Sequence, residues 1–153
     1  MNVNKIFNLP ENIFRVVFEK SPGSLLVKAD APQFTIIAVS DAYLKITNKK
    51  REDIIGHGFT EVFPANRLDH KIEPNAVTLF NEVINKREKI DLSNYRFDVY
   101  NTETKALEKR YWSCSNTPIF DEANELVLIL NTVVDITAAV HAKEAAIESI
   151  FLK

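Results

Sequence analysis

Cysteine is nearly absent. Cys114 stands alone, so the chain can form no disulfide within itself, and a cysteine-built zinc site is disfavoured with it. A lone thiol fits a reducing compartment. Glycine is scarce as well. Gly23, Gly56 and Gly58 are too few and too scattered to make a phosphate-cradling loop, and neither H-E-x-x-H nor G-x-S-x-G occurs. No charge sign dominates: 19 Lys and Arg face 21 Asp and Glu, a net charge of −2, which gives no reason to expect nucleic acid or an anionic membrane as partner. The short basic clusters Lys49-Lys50-Arg51 and Lys109-Arg110 read as solvated faces. Long apolar runs are missing too. The longest aliphatic stretch is Leu126-Val127-Leu128-Ile129-Leu130, against the roughly 20 residues of a spanning helix. The first residues, Met1-Asn2-Val3-Asn4-Lys5, lack the apolar core of a secretion signal. A cytoplasmic protein without a membrane segment is expected.

What remains is ordinary globular material. The 153 residues are 46% hydrophobic, enough for one domain around one core. After an arm at 1–10, Pro10 and the spacing of Ile13, Phe14, Val17 and Phe18 predict a short amphipathic helix over 11–20. Ser21-Pro22-Gly23 ends it. Two short strands follow, Leu25–Lys28 and Phe34–Val39, joined by a turn at Ala31-Pro32-Gln33. Ser40 is a good N-cap for a helix carrying Tyr43, Leu44 and Ile46. Residues 47–64 read as short helical turns and loops. Glu73-Pro74 predicts the start of a longer helix with Ala76, Val77, Phe80, Val83 and Ile84 on one side.

The second half is rich in strands. Tyr95, Phe97 and Val99 alternate with Arg96 and Asp98, the pattern of a half-buried strand. Arg110–Asn116 is a second strand, ending at Thr117-Pro118. Glu125–Val134 is a third, apolar on both faces, and it belongs at the centre of a sheet covered on both sides. The 11–20 helix, or else a second subunit, is expected to cover its outer face. Residues 138–153 have helical composition. Ile136, Val140, Lys143, Ile147 and Ile150 keep a 4-3-4-3 spacing, a short seam interrupted by a lysine. The sequence stops inside this pattern, so the helix is expected to continue in a longer protein.

The order of elements, helix, two strands, several short helices, three strands and an exit helix, resembles the PAS domain family. Local motifs agree. Ser21-Pro22-Gly23 resembles the family's opening, and Val39-Ser40-Asp41-Ala42-Tyr43-Leu44 its first inner helix. Arg51–Gly56 is similar to its second short helix, and Glu61-Val62-Phe63-Pro64 to the loop after it. Arg110-Tyr111-Trp112-Ser113 with Asn116-Thr117-Pro118-Ile119 resembles the penultimate strand, and Asp135-Ile136-Thr137 the D-x-T joint to the signalling helix. One departure is Asp121-Glu122-Ala123-Asn124, where a glycine is commoner; Asn tolerates left-handed backbone next best. The resemblance implies an α+β fold with a five-stranded antiparallel sheet flanked by short helices, a PAS domain over 11–136, and a signalling helix over 137–153.

It also implies a ligand held between the inner sheet face and the short helices. The residues it places there are Tyr43, Phe59 and Phe80 from the helices, and Tyr95, Phe97, Trp112, Cys114, Asn116, Ile129 and Asn131 from the strands. Strand alternation puts Val99, Val127 and Val133 on the same faces. The plainer reading of the aromatics is core filling. Asn116 and Asn131 say more, because an inward amide needs partners: each other, a loop backbone or a ligand. Cys114 lies on a strand, outside the helical motif of flavin-binding relatives, and reads as a buried inert thiol. No histidine falls within 73–88, where haem-binding relatives carry theirs; His57, His70 and His141 lie elsewhere. Flavin and haem are both disfavoured, no metal site is expected, and no catalytic residue is assigned. The expected function is a sensory module of a bacterial signalling protein such as a two-component histidine kinase. It would homodimerise through its terminal helices and relay through Asp135 and Thr137 to an effector domain. The alternatives are a ligand-free dimerisation scaffold and a small single-acid enzyme.

Overall fold

The alternating residues of the chain's two ends meet in one antiparallel sheet of five strands, in the spatial order Ile36–Val39, Ser24–Lys28, Leu126–Asp135, Tyr111–Phe120 and Ile90–Arg96. In the computed structural model, which describes residues 7–64 and 75–152, these strands are β1 (Ser24–Lys28), β2 (Ile36–Val39), β3 (Ile90–Arg96), β6 (Tyr111–Phe120) and β7 (Leu126–Asp135). A separate ribbon, β4 (Val99–Asn101) with β5 (Ala106–Glu108), interrupts the run between β3 and β6. Helix α1 (Ile13–Glu19) precedes the sheet. Helices α2 (Asp41–Thr47), α3 (Arg51–Ile54), α4 (Phe59–Val62) and α5 (Ala76–Lys86) lie between β2 and β3, and α6 (Thr137–Phe151) closes the chain. The expected helix start at Glu73-Pro74 and the segment around His70 lie outside the described residues, as do residues 1–6 of the expected arm.

Local chemistry accounts for the element ends. The Ser40 hydroxyl accepts from the Tyr43 N–H (3.2 Å) and from the Ser24 N–H (2.9 Å), so one side chain caps α2 and ties it to β1. Asn75 caps α5 through the Thr78 N–H at 3.0 Å. Asn48 and Arg87 take left-handed φ values of 55° and 56° to end α2 and α5. Asn124 does the same at 62°, so the turn lacking glycine forms as expected, with Asp121 accepting from the Ala123 and Glu125 N–H groups. Gly23 is needed for closeness rather than φ: its carbonyl accepts from the Val133 N–H at 2.9 Å, and a Cβ there would stand 2.9 Å from the Val133 carbonyl oxygen.

β7, apolar on both faces, takes the central position with β1 and β6 on either side. The core lies between the sheet's inner face and helices α2 to α5. Phe34 and Phe80 are fully buried with ring centroids 5.1 Å apart, and Phe59 meets Phe80 edge-on at 5.1 Å. Leu25, Val27, Val39 and Ile129 form its floor, each side chain contributing about 1.5–3 kcal/mol by leaving water.

Several expectations are corrected. The strand read over Tyr95–Val99 starts earlier, at Ile90, and stops at Arg96, so Val99 lies in the ribbon and shares no sheet face with Tyr95. Asn94 takes φ 60° and the register slips between Leu92 and Tyr95. The Arg96–Asp98 pair, with Asp98 also accepting from the Arg110 N–H, then fixes the chain where it leaves the sheet. β6 does not end at Thr117-Pro118 but runs to Phe120. β3 begins opposite Asn116, so Pro118 lies beyond its reach, where a missing N–H is tolerated. Helix α1 does not cover the outer face of β7. It packs at β2, held by Glu19–Arg51 (3.1 Å) and Lys20–Asp41 (2.8 Å), and buries no residue, while Val134 on β7 is 60% exposed. Val127, expected inward, is also exposed, close to the solvated turn at 121–125.

Candidate functional site

Between the inner sheet face and the short helices is a cavity of about 40 Å³. The sheet supplies Tyr95, Trp112, Cys114 and Asn131, the segment after β3 supplies Phe97, and the helices supply Tyr43 and Phe59. The other expected ligand residues stand elsewhere. Phe80 and Ile129 are in the closed core, and Asn116 lies fully buried one residue pair away, opposite Asn131. Sequence reasoning missed Ile46, Thr47, Phe63 and Ala76 as wall residues, while Val133, placed on the inner face by alternation, is one. Helical spacing from Tyr43 points to Ile46 and Thr47. Phe63 sits in a motif whose role looked purely local.

The two buried amides solve their polar problem together. The Tyr43 hydroxyl donates to Asn131 Oδ1 (3.3 Å), Asn131 Nδ2 donates to Asn116 Oδ1 (2.8 Å), and Asn116 Nδ2 donates to the Ile90 carbonyl (3.2 Å). This relay joins α2, β7, β6 and β3 through the core. The Trp112 indole N–H donates to the Phe97 carbonyl at 2.8 Å, fixing the wall after β3. Every described wall side chain is uncharged. Burial pushes the Cys114 thiol up to about 12, so it is neutral and a poor nucleophile. Burial, reinforced by Cys114 and Tyr95, pushes the Tyr43 phenol up as well.

The second element is the joint between β7 and α6. Asp135 accepts from the Thr137 N–H (2.9 Å) and from Arg110 Nη1 (2.6 Å). The Thr137 hydroxyl accepts from the Tyr111 N–H (2.9 Å), and the Ile136 N–H donates to the Tyr111 carbonyl (2.9 Å). Burial opposes the charge on Asp135, but the bonds from Thr137 and Arg110 outweigh it and hold its carboxyl below the ordinary value. Arg110 is no mere solvated cation: it also grips Glu108 of the ribbon, which Asn101 holds in turn. A Glu and an Arg two apart on extended chain share a face, and that spacing was the available signal. Pocket and joint meet on β6. Trp112 forms cavity wall, its neighbour Tyr111 holds the start of α6, and Trp112 pairs with Asp135 across the strands.

The sequence profile of the PAS domain matches residues 22–138, more than half of the chain. The chain belongs to the PAS domain family. Helix α1 precedes the matched PAS segment. Solved structures agree on the fold. The PAS domain of the fruit-fly ELK potassium channel is similar at 21% identity and a TM-score of 0.53, covering 82% of this chain and 96% of that one. The Rhodobacter sphaeroides LOV protein is similar at 15% identity and a TM-score of 0.62, covering 95% and 74%. The PAS domain of Bordetella pertussis BvgS is similar at 15% identity and a TM-score of 0.51, covering 90% and 96%. No curated protein matches the sequence. As a PAS domain the chain is a sensory module in class. Among the described residues no group of three His, Cys, Asp or Glu is placed to hold a metal ion, and no helix is long and apolar enough to cross a membrane.

Proposed function

We propose that this PAS module is the input domain of a signalling protein, binding a small molecule in the inner-face pocket and relaying its presence through α6 to an effector. The observation that carries the reading is the adjacency of Trp112 and Tyr111, pocket wall and helix clamp, on one strand. A ligand that repacks Trp112 acts one residue from the bonds that set the angle of α6. Two junction arrangements, differing in ligand affinity, are enough to make this a signal. The effector is a histidine kinase of a bacterial two-component system, in the cytoplasm, and the module itself catalyses nothing. The reading assigns neither flavin nor haem, because the cavity is small and Cys114 sits on a strand. The test is hydrogen exchange across residues 135–140 with and without a pocket occupant. Changed protection there supports relay; an occupied pocket with an unchanged joint refutes it.

A second reading, a ligand-free dimerisation scaffold, is favoured by the terminal helices. Phe14 and Val17 on α1 are 65% and 59% exposed, and Ile150 and Phe151 on α6 are 70% and 82% exposed. Self-association through these faces is compatible with sensing, and we include a homodimer in the proposal. Native mass spectrometry separates the two readings. A retained or stabilising small molecule supports the sensor, and a tight dimer whose core responds to nothing supports the scaffold.

A further inference from the structure

We propose that the Phe63 ring is the pocket's own placeholder, and that the ligand is an uncharged single-ring aromatic molecule whose one hydrogen-bonding group meets Tyr43 and Asn131. The inference rests on the pocket reading above and names the ligand class for it.

Size gives the first argument. A cavity of about 40 Å³ holds a few waters, whereas an apolar void of about 150 Å³ is what accepts benzene. A second void of about 20 Å³ lies alongside, and Phe59, Phe63, Ala76, Tyr95 and Phe97 line both. The partition is therefore largely aromatic. Most of it is fixed. Phe59 stands in α4 and packs on Phe80, Tyr95 belongs to β3 and Ala76 to α5. Phe97 is held by its backbone, through Trp112 and the Arg110 carbonyl. Phe63 differs. Its N–H donates to the Phe59 carbonyl at 2.8 Å, so its backbone is anchored as well; what differs is that it stands past the last residue of α4, at non-helical φ −122° and ψ 77°, with ring contacts holding its side chain. Those contacts are Phe59 at 5.0 Å, Phe97 at 5.8 Å, Tyr43 at 6.2 Å and the Lys49 ammonium 5.8 Å above the ring. A ligand ring in the same place regains the same neighbours, so displacement exchanges contacts rather than losing them.

Charge and polarity give the second argument. None of the described wall side chains is ionised, and the Lys49 ammonium lies over the Phe63 ring rather than in the wall, so an ionised group at the Tyr43–Asn131 corner would lose water and gain no counter-charge from the wall. The upward displacement of the Tyr43 and Cys114 ionisations reports the same environment. The one polar corner is Tyr43 with Asn131. The Tyr43 oxygen donates its proton to Asn131 yet can still accept, and Asn131 Nδ2 spends one proton on Asn116 and has a second to give. A hydroxyl-sized group satisfies both.

The test uses three isosteric probes, benzyl alcohol, benzoate and benzylammonium, read by the fluorescence of Trp112, the chain's single tryptophan and a wall residue. Benzyl alcohol is expected to bind, and the ionic probes are not. If the ring-out state is populated at about 10%, the upper end of a minor state, Phe63→Ala binds benzyl alcohol about tenfold tighter than the natural chain. Phe63→Leu, which also removes the ring while keeping bulk, replaces the alanine variant should circular dichroism show that it fails to fold. Equal affinity in the natural chain and the folded variant overturns the placeholder. Benzoate or benzylammonium binding as well as benzyl alcohol overturns the ligand class and leaves the pocket reading standing. No response to any probe in either protein overturns both.

Discussion

Removing one buried amide of the Asn116–Asn131 pair is expected to cost more than its share of removing both. Asn116 is fully buried and Asn131 is 4% exposed, so neither reaches bulk solvent. Asn116→Leu deletes two hydrogen bonds and strands the Asn131 Nδ2 donor and the Ile90 carbonyl. Asn131→Leu likewise strands Asn116 Oδ1 and the Tyr43 hydroxyl. An unsatisfied buried group costs about 1–3 kcal/mol, so each single variant, stranding two, is expected to lose about 2–6 kcal/mol. The double variant removes donor and acceptor of the 2.8 Å bond together, leaving only the two outer partners stranded. Its loss should fall short of the sum of the singles by two stranded groups, about 2–3 kcal/mol, the upper part of the coupling range measured for contacting residues. Urea unfolding followed by Trp112, 3% exposed in the folded state, gives all four stabilities on one signal. Strict additivity, or a single variant as stable as the natural chain, would refute the claim that the amides satisfy each other.

Gly23→Ala places a Cβ 2.9 Å from a backbone oxygen that cannot retreat, and should destabilise by about 1–3 kcal/mol in the same urea assay; an unchanged midpoint contradicts the close approach. Asp135 and Glu108 are both held below their ordinary values, Glu108 by Arg110 and then Asn101. Their contribution to the joint is therefore present above the unfolded carboxylate range, roughly 3.9–4.3, and is lost as pH falls through the lower folded values. Amide protection at Thr137, corrected for intrinsic exchange, should stay level from neutral pH to about 5 and fall below about 4; a rise on acidification would contradict this. Val17→Asp with Ile150→Glu, charges placed on the two exposed apolar helix faces, should convert a dimer to a monomer in light scattering. A dimer that persists in that variant places the interface elsewhere.

Periodicity read the architecture well where one rule governed. β7 was legible as central because alternation fails on it, and α2 because Ser40 is a side-chain cap. The stretch 90–108 was not, because a left-handed Asn94 and an Arg96–Asp98 pair change the chain's course without altering the apolar alternation that Tyr95, Phe97 and Val99 continue to show. The pocket was legible on its sheet side for the same reason that the strands were. Its helical side was harder, since Phe63 projects from a non-helical residue and no period reaches it. Arg110 was hidden by composition: next to Lys109 it looks like surface charge, and only the fold brings Asp135 within 2.6 Å. α1 was placed by sequence over the wrong strand, because amphipathicity predicts that a face is buried and is silent about which surface buries it.

Relay requires the pocket and the joint to α6 to be one thermodynamic unit. Coupling is reciprocal: if an occupant of the pocket shifts the joint, loosening the joint must shift affinity in the pocket by the same factor. Arg110→Met cuts the side-chain link to Asp135 and Glu108 and keeps the backbone carbonyl that accepts from the Phe97 N–H of the cavity wall. The decisive measurement is the Kd of benzyl alcohol, by Trp112 fluorescence, in the natural chain and in Arg110→Met. A change of at least about fivefold is the predicted result, and identical affinities would contradict it.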